Sequence, residues 1–422
     1  MDETIFQPTN VAPVSSLGAS YNPFAPPHRD DPYLFYAQAR CDEPVCYIPH
    51  LNLWLVTRHE DALTVLRDPV RFSSADFLKP MIPWPPEIAA VLDSGYPEVA
   101  GLVNNDPPSH DRIRGLFSAG FSPRRIAEME PQIRALAHEL VDQFAAQGQV
   151  DLVHDFADPL PMIVIGDLLG IPRSDIRMLK RYCDDRMLLY APEIPVEQKL
   201  VYVENYMAFQ RYCEAMIAER RTHPRDDLTT ALVEARIDGM TPLTNAEIIV
   251  NMLILFFAGH ETTSSVIAQM VYLLQRNPEQ WQALQADRSL IPAAIEEVVR
   301  IGSPVQGEPR TTTEPVELGG TQLPAGARVH VMYASANHDD AVFPNPERFD
   351  PRRDNLKRHL GFGWGIHFCL GAALARLEAR IALETLLDRL PNLQLAPDHT
   401  PEFVPSFFLR NPTRLPLSWD AA

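Results

Sequence analysis

Long apolar runs, basic residues and cysteine are all scarce in this chain of 422 residues. No stretch approaches the ~18 uninterrupted apolar residues of a helical membrane span. Met1 to Pro32 is polar and proline-rich, an irregular segment without the charged start and apolar middle of a secretory signal. A cytoplasmic protein is expected. Lys and Arg number 37 against 55 Asp and Glu, a formal charge of −18. Phosphate backbones need a basic face, so nucleic acid is not an expected partner, although a local basic patch stays open. The five cysteines are Cys41, Cys46, Cys183, Cys213 and Cys369. Their odd number and irregular spacing suggest neither a disulfide framework nor a zinc site.

Proline is abundant, at 40 residues, and cuts the chain into many segments. Leu51 to Thr57 alternates as a strand does, and Glu60 to Arg67 reads as a short helix. Residues 73–105 combine prolines with Phe77, Met81, Trp84 and Tyr96, which predicts a long irregular loop. Helical periodicity runs from Ser109 to about Arg221, broken at Pro123, Pro159, Pro172 and Pro192/Pro195. Thr244-Asn245-Ala246-Glu247 has capping-box spacing, and Asn277-Pro278 stops the pattern it opens. That predicts a helix of roughly thirty residues, about 45 Å long, crossing the centre of the protein. Pro292 opens a helix over Ala293–Ile301. Val316 to Leu323 forms a hairpin about Gly319-Gly320, and a strand follows near Arg328–Met332. A last helix covers Leu370–Leu390. The fold class is mainly α with a small β portion.

One segment carries chemistry by itself: Phe362-Gly363-Trp364-Gly365-Ile366-His367-Phe368-Cys369-Leu370-Gly371. Gly361, Gly363 and Gly365 allow positive φ and close approach to a flat ligand. Cys369 stands where a helix begins, which favours thiolate, a good iron ligand. The glycine spacing is not Gly-x-Gly-x-x-Gly and no strand leads into it, so a dinucleotide loop is a poor fit.

This segment resembles the haem-binding loop of the cytochromes P450, Phe-Gly-x-Gly-x-His-x-Cys-x-Gly, at every specified position. Four further segments match the family in order. The resemblance implies one domain over residues 1–422, with haem b (iron protoporphyrin IX) between the long central helix and the cysteine loop. In Ala258-Gly259-His260-Glu261-Thr262-Thr263, mid-helix Gly is unfavourable by about 1 kcal/mol, and Thr262 can bond back one turn and bend the helix. A zinc-protease reading of His260-Glu261 fails because Ser264 stands where a second histidine is needed. By resemblance Glu261 and Thr262 relay protons to dioxygen, and Ala258 lies against the cofactor.

Glu297 and Arg300, three apart, share a helix face. Alone they are an ordinary surface pair. The resemblance makes them a buried structural pair reached by Arg348 of Pro346-Glu347-Arg348-Phe349. His110 and Arg114, four apart, suit an anionic group, and a buried haem has two propionates that need partners. By resemblance they bind propionate together with Arg310 and His367, while Phe362, Gly363, Cys369 and Gly371 form the cysteine-side cradle. Cys369 is the implied iron ligand.

A thiolate ligand favours O–O cleavage, so the expected function is a monooxygenase that hydroxylates or epoxidises a hydrophobic small molecule. Its electrons would come from a separate ferredoxin with an NAD(P)H-dependent reductase. Arg112, Lys357, Arg358, Arg376 and Arg380 are candidate docking charges. Phe77, Met81, Trp84, Tyr190, Val305, Gln306, Phe407 and Phe408 are candidate substrate contacts, although core packing explains many of them equally well. Alternatives are oxidative coupling or peroxide-driven oxidation at the same haem, or a haem gas sensor.

Overall fold

The computed structural model describes residues 16–420 apart from residues 81, 98, 192–193, 398 and 405. Its spine is α6 (Asn245–Arg276), reached in chain order through α1 (Ser109–Ser118), α2 (Pro123–Asp142), α3 (Pro159–Leu169), α4 (Arg173–Leu188) and α5 (Val196–Thr222). The 32 residues of α6 start at the expected capping box, Thr244 and Glu247 each bonding the other's backbone N–H. Its apolar residues Ile248, Ile249, Met252, Phe256, Val266, Ile267, Met270 and Val271 are buried among the flanking helices. A helix this apolar holds together through burial on most of its circumference rather than through propensity.

The helix runs unbroken through Gly259. A Cβ at Gly259 would meet Ile165 Cγ1 of α3 at 2.7 Å. Glycine is therefore needed there for close helix packing, which accounts for its unfavourable place in mid-helix. Thr262 does bond back, its Oγ1 donating to the Ala258 carbonyl at 2.8 Å.

On the other side of α6 lie α7 (Ile291–Gly302) and α8 (Ala372–Arg389). The cysteine loop leads into α8, which begins at Ala372, two residues later than Leu370. A five-stranded sheet flanks the helices. It contains β1 (Val45–Ile48), β2 (Leu53–Val56), β3 (Phe72–Ser73), β4 (Glu308–Thr312) and β5 (Arg328–Val331), in the order β1-β2-β5-β4-β3. Only the β2–β5 pair is parallel. The Gly319-Gly320 hairpin joins Val316–Leu318 to Thr321–Leu323, both glycines at positive φ. Two expectations need correction. The stretch 73–105 holds a helix, Pro86–Asp93, whose Ile88 is fully buried. The N-terminal stretch contains a turn of helix at Ser16–Ser20.

Candidate active site

The loop before α8 owes its path to particular glycines. Gly363 and Gly365 both have φ of 69°, the left-handed region. Gly361 does not; a Cβ there would meet Val299 Cγ1 at 2.4 Å, so its role is close packing on α7. The Cys369 N–H donates to the Phe362 carbonyl at 2.8 Å, closing the loop on itself. The Arg376 guanidinium covers the Phe362 ring at 4.2 Å. Cys369 is exposed yet has protein packed closely around it. Burial pushes its thiol up, against the Gly371 N–H and the Arg114 charge. The helix-start effect predicted from the sequence is outweighed because α8 begins three residues beyond the sulfur, and the dipole effect fades within a turn. In the polypeptide alone, position 369 is a thiol, and metal coordination is what deprotonates such a group.

Cations and imidazoles crowd beside this cysteine. Arg114 of α1 donates to the Phe368 carbonyl at 2.7 Å. His110, one turn earlier, is buried, and its ring meets that of His367 edge-on at 4.5 Å. Burial, joined by Arg310, His110 and Arg114, pushes His367 down to about 3. Arg310 on β4 is buried, its one carboxylate contact among the described residues being a long one to Glu308 at 3.3 Å. The Nε2 atoms of His110 and His367 are buried without a hydrogen-bond partner among the described residues. Unpaired buried nitrogens are unfavourable by about 1–3 kcal/mol each. A pair of carboxylates is what this group of donors lacks.

On α6, Ala258 is exposed although Phe256 and His260, two residues to either side, are buried. Glu261 is tightly held. Its Oε1 accepts from Lys180 Nζ of α4 and faces His260 Nε2, both at 2.9 Å, and its Oε2 accepts from Asn411 Nδ2 at 2.7 Å. Burial alone would raise the Glu261 carboxyl, but the His260 and Lys180 contacts hold it well below the usual carboxylate range. Neither Lys180 nor Asn411 was legible as a site residue. Each approaches Glu261 from a remote stretch of chain with no local pattern to mark it.

On the far side of α7, Glu297 and Arg300 are completely buried, with Arg300 Nε and Nη2 donating to the carboxylate at 2.7 and 2.8 Å. Their third member is Arg353, not Arg348. Arg353 Nε lies 3.0 Å from Glu297 Oε1. Arg348 offers only its carbonyl to this group, and its side chain is 71% exposed. Two arginines five apart in a loop look alike in sequence, and only the backbone path decides which turns inward.

The expected substrate contacts divide. Phe77 and Phe408 meet edge to face at 6.0 Å, and Trp84 lies 5.1 Å from Tyr190, whose hydroxyl donates to the Leu78 carbonyl. Val305 bridges to Leu409, and the Gln306 N–H donates to the Phe408 carbonyl at 2.8 Å. Phe407 turns the opposite way, onto His330 at 4.4 Å and toward Tyr21, so it is core. The Gln306 side chain is tied back to the Ser303 carbonyl. Met81 lies outside the described residues.

A family model for cytochrome P450 matches residues 85–418. The chain belongs to the cytochrome P450 family. It is 40% identical over 371 residues to cytochrome P450 107B1 of Saccharopolyspora erythraea, covering 86% of this chain and 88% of that one. It is 39% identical over 396 residues to the mycinamicin IV hydroxylase/epoxidase of Micromonospora griseorubida, covering 91% and 94%. The solved structure of CYP109Q5 from Chondromyces apiculatus superposes with a TM-score of 0.84 at 38% identity, over 94% of this chain and 98% of that one. This P450 is thus a haem b monooxygenase, acting with dioxygen on a hydrophobic substrate. Its two imidazoles with unpaired Nε2 atoms, two arginines and a sulfur suit a flat ligand with two carboxylates and an iron. No helix of the P450, among its described residues, is long and apolar enough to cross a membrane.

Proposed function

We propose that Cys369 is the thiolate ligand of the haem iron and that His110, Arg114, Arg310 and His367 hold the propionates. Ala258, Phe362, Gly363 and Gly371 line the macrocycle in this reading, and residues 1–422 act as one catalytic domain in the cytoplasm. The reaction is hydroxylation or epoxidation of a hydrophobic small molecule, with electrons from a separate ferredoxin and its NAD(P)H-dependent reductase. The observation that carries this is the convergence of the partnerless His110 and His367 nitrogens with Arg114 and Arg310 beside Cys369.

Haem bound to a thiolate supplies oxygen activation and O–O cleavage. The chain's own residues do the rest. Arg114 and Arg310 neutralise propionate charge that would otherwise be buried unpaired. Glu261 and Thr262 present a carboxylate and a hydroxyl at the middle of α6, where protons must be delivered. Phe77, Trp84, Tyr190 and Phe408 offer an apolar wall that binds substrate and excludes water.

Ferredoxin docking calls for free positive charge near Cys369. Arg112 is tied to Glu247, Arg376 to Glu296 at 2.6 Å and Arg380 to Glu130 at 2.7 Å. Lys357 and Arg358 are exposed, as are Trp364 and Phe368 of the cysteine loop. They are the better docking candidates. The test is to screen hydrophobic compounds for a Soret shift and then run the best binder under isotope-labelled dioxygen. One labelled oxygen atom in the product is the expected result, and unlabelled or coupled product would overturn the reading.

A further inference from the structure

The hydrogen bonds of His260 contain one proton more than a neutral imidazole can supply. Nδ1 lies 2.6 Å from the Phe256 carbonyl oxygen, and Nε2 lies 2.9 Å from Glu261 Oε1. Both partners are acceptors, so both ring nitrogens must carry hydrogen, or Glu261 must. Glu261 already accepts from Lys180 and Asn411, which leaves it ionised and puts the extra proton on the ring. His359 shows the contrast. Its Nε2 also faces a carboxylate, Glu296 at 2.9 Å, but its Nδ1 accepts the Gly361 N–H at 3.1 Å, so one ring proton satisfies it.

Among the described residues three groups donate to the Glu261 carboxylate, and one of them can release a proton to it. The Asn411 amide does not ionise. Burial alone would lower Lys180, but Glu261 and Asp184 hold its ammonium well above the ordinary lysine range, so its proton stays. We propose that the imidazolium of His260 is the internal proton store for Glu261, supplying protons that Glu261 and Thr262 pass on during oxygen reduction. The inference rests on the reading of Glu261 and Thr262 as the delivery pair. His260 is buried against Glu261 and acts through it as a positioning and storage residue.

The step balances. The Nε2–H bond breaks, an O–H bond forms on Glu261 Oε1, and the ring keeps its Nδ1–H on Phe256. Monooxygenation consumes two protons and two electrons per dioxygen, the electrons coming from the ferredoxin. The ring refills by the reverse step, from Glu261 once solvent has reprotonated it, the side-chain exposure being 17% at Glu261 and 1% at His260. Asp158 also faces this cluster, accepting from Ser264 of α6, and burial raises its carboxyl. Asp184, His260 and Glu261 present ligand atoms within 4.8 Å of one another, but the Lys180 ammonium already bridges the two carboxylates, where a divalent cation would have to sit.

The test pairs a structural readout with a functional one. His338 has the same pattern, its Nδ1 facing Glu347 Oε1 at 2.8 Å and its Nε2 the Ile301 carbonyl at 3.1 Å. The wild-type holoprotein, labelled with 15N-histidine and studied by NMR as its diamagnetic ferrous carbonyl complex, should therefore show two buried histidines protonated on both nitrogens at neutral pH. The one assigned to His260 should be absent from His260→Gln, and the one assigned to His338 should remain. A neutral His260 ring would overturn the proposal without any variant. In turnover with a surrogate ferredoxin, reductase and a Soret-shifting compound, His260→Gln should lose about 10²-fold in product formed per NADPH oxidised, the missing electrons appearing as hydrogen peroxide. Glutamine keeps an N–H for Glu261 but no ionisable proton, so full rescue by glutamine would reduce His260 to a strut and sink the idea. Glu261→Gln and Thr262→Val separate the two levels. If these lose coupling while His260→Gln does not, only this inference fails; if they too are unaffected, the delivery reading itself is wrong.

Discussion

On the cysteine side of the central helix, Arg300 is fixed by a carboxylate, while on the opposite side Arg186 is fixed by aromatic rings. Arg300 has Glu297 at 2.7 and 2.8 Å, the Asn337 and Pro346 carbonyls at 2.8 Å, and Arg353 completing the group. Arg186, at the end of α4, has its guanidinium over Tyr190 at 4.6 Å, Tyr206 at 4.9 Å and Trp84 at 5.7 Å, with Nη1 buried and without a hydrogen-bond partner among the described residues. Directional charge pairs fix one geometry. Aromatic faces hold a cation over a range of positions. The first suits a rigid wall behind the cysteine loop, and the second leaves the end of α4 room to shift.

The comparison breaks most severely at the buried pair. Removing one partner, as in Arg300→Leu, should destabilise the fold by about 3–5 kcal/mol because Glu297 is left buried and unpaired; urea unfolding measures it, and a loss below about 1 kcal/mol would refute the contrast. Next is Glu296, which joins Arg376 and His359. Burial alone would raise its carboxyl, but these two partners hold it down at about 2. A lowered carboxyl stabilises above its unfolded value near 4.5, and the gain disappears as pH falls toward 2. Glu296→Gln should therefore lose about 3 kcal/mol at pH 7, and the gap from wild type should narrow as unfolding is followed from pH 5 down to pH 3. A pH-independent gap would point to packing instead.

Arg186→Met should lose only about 2 kcal/mol or less, with the larger change in substrate affinity read by Soret titration. The smallest effect belongs to Arg348→Ala, within about 0.5 kcal/mol, whereas Arg353→Ala exposes Glu297 to the loss of a direct partner. Equal effects at 348 and 353 would contradict the assignment of the third member.

The same contrast explains what could be read in advance. The cysteine loop, the Glu297–Arg300 pair and the capping box at Thr244 are short-range patterns in which neighbours in sequence are neighbours in space, so they were visible. Long helices announced themselves through apolar periodicity and proline breaks. Lys180 and Arg186 have local partners four residues on, Asp184 and Tyr190, but they and Asn411 reach Glu261, Tyr206 and Trp84 across distant segments, and their local sequence carries no mark of that. Phe407 and Phe408 show the limit at its smallest scale. Two adjacent phenylalanines face opposite sides, and one backbone register decides which meets Phe77 and which joins Tyr21 in the core.

The most direct test is the absorption spectrum of the reduced, carbon monoxide-bound holoprotein beside its Cys369→Ser variant. Sulfur ligation predicts the red-shifted Soret band in the wild type and its disappearance from a variant that still retains haem. An unshifted wild-type band, or a band that survives loss of the cysteine, would contradict the account.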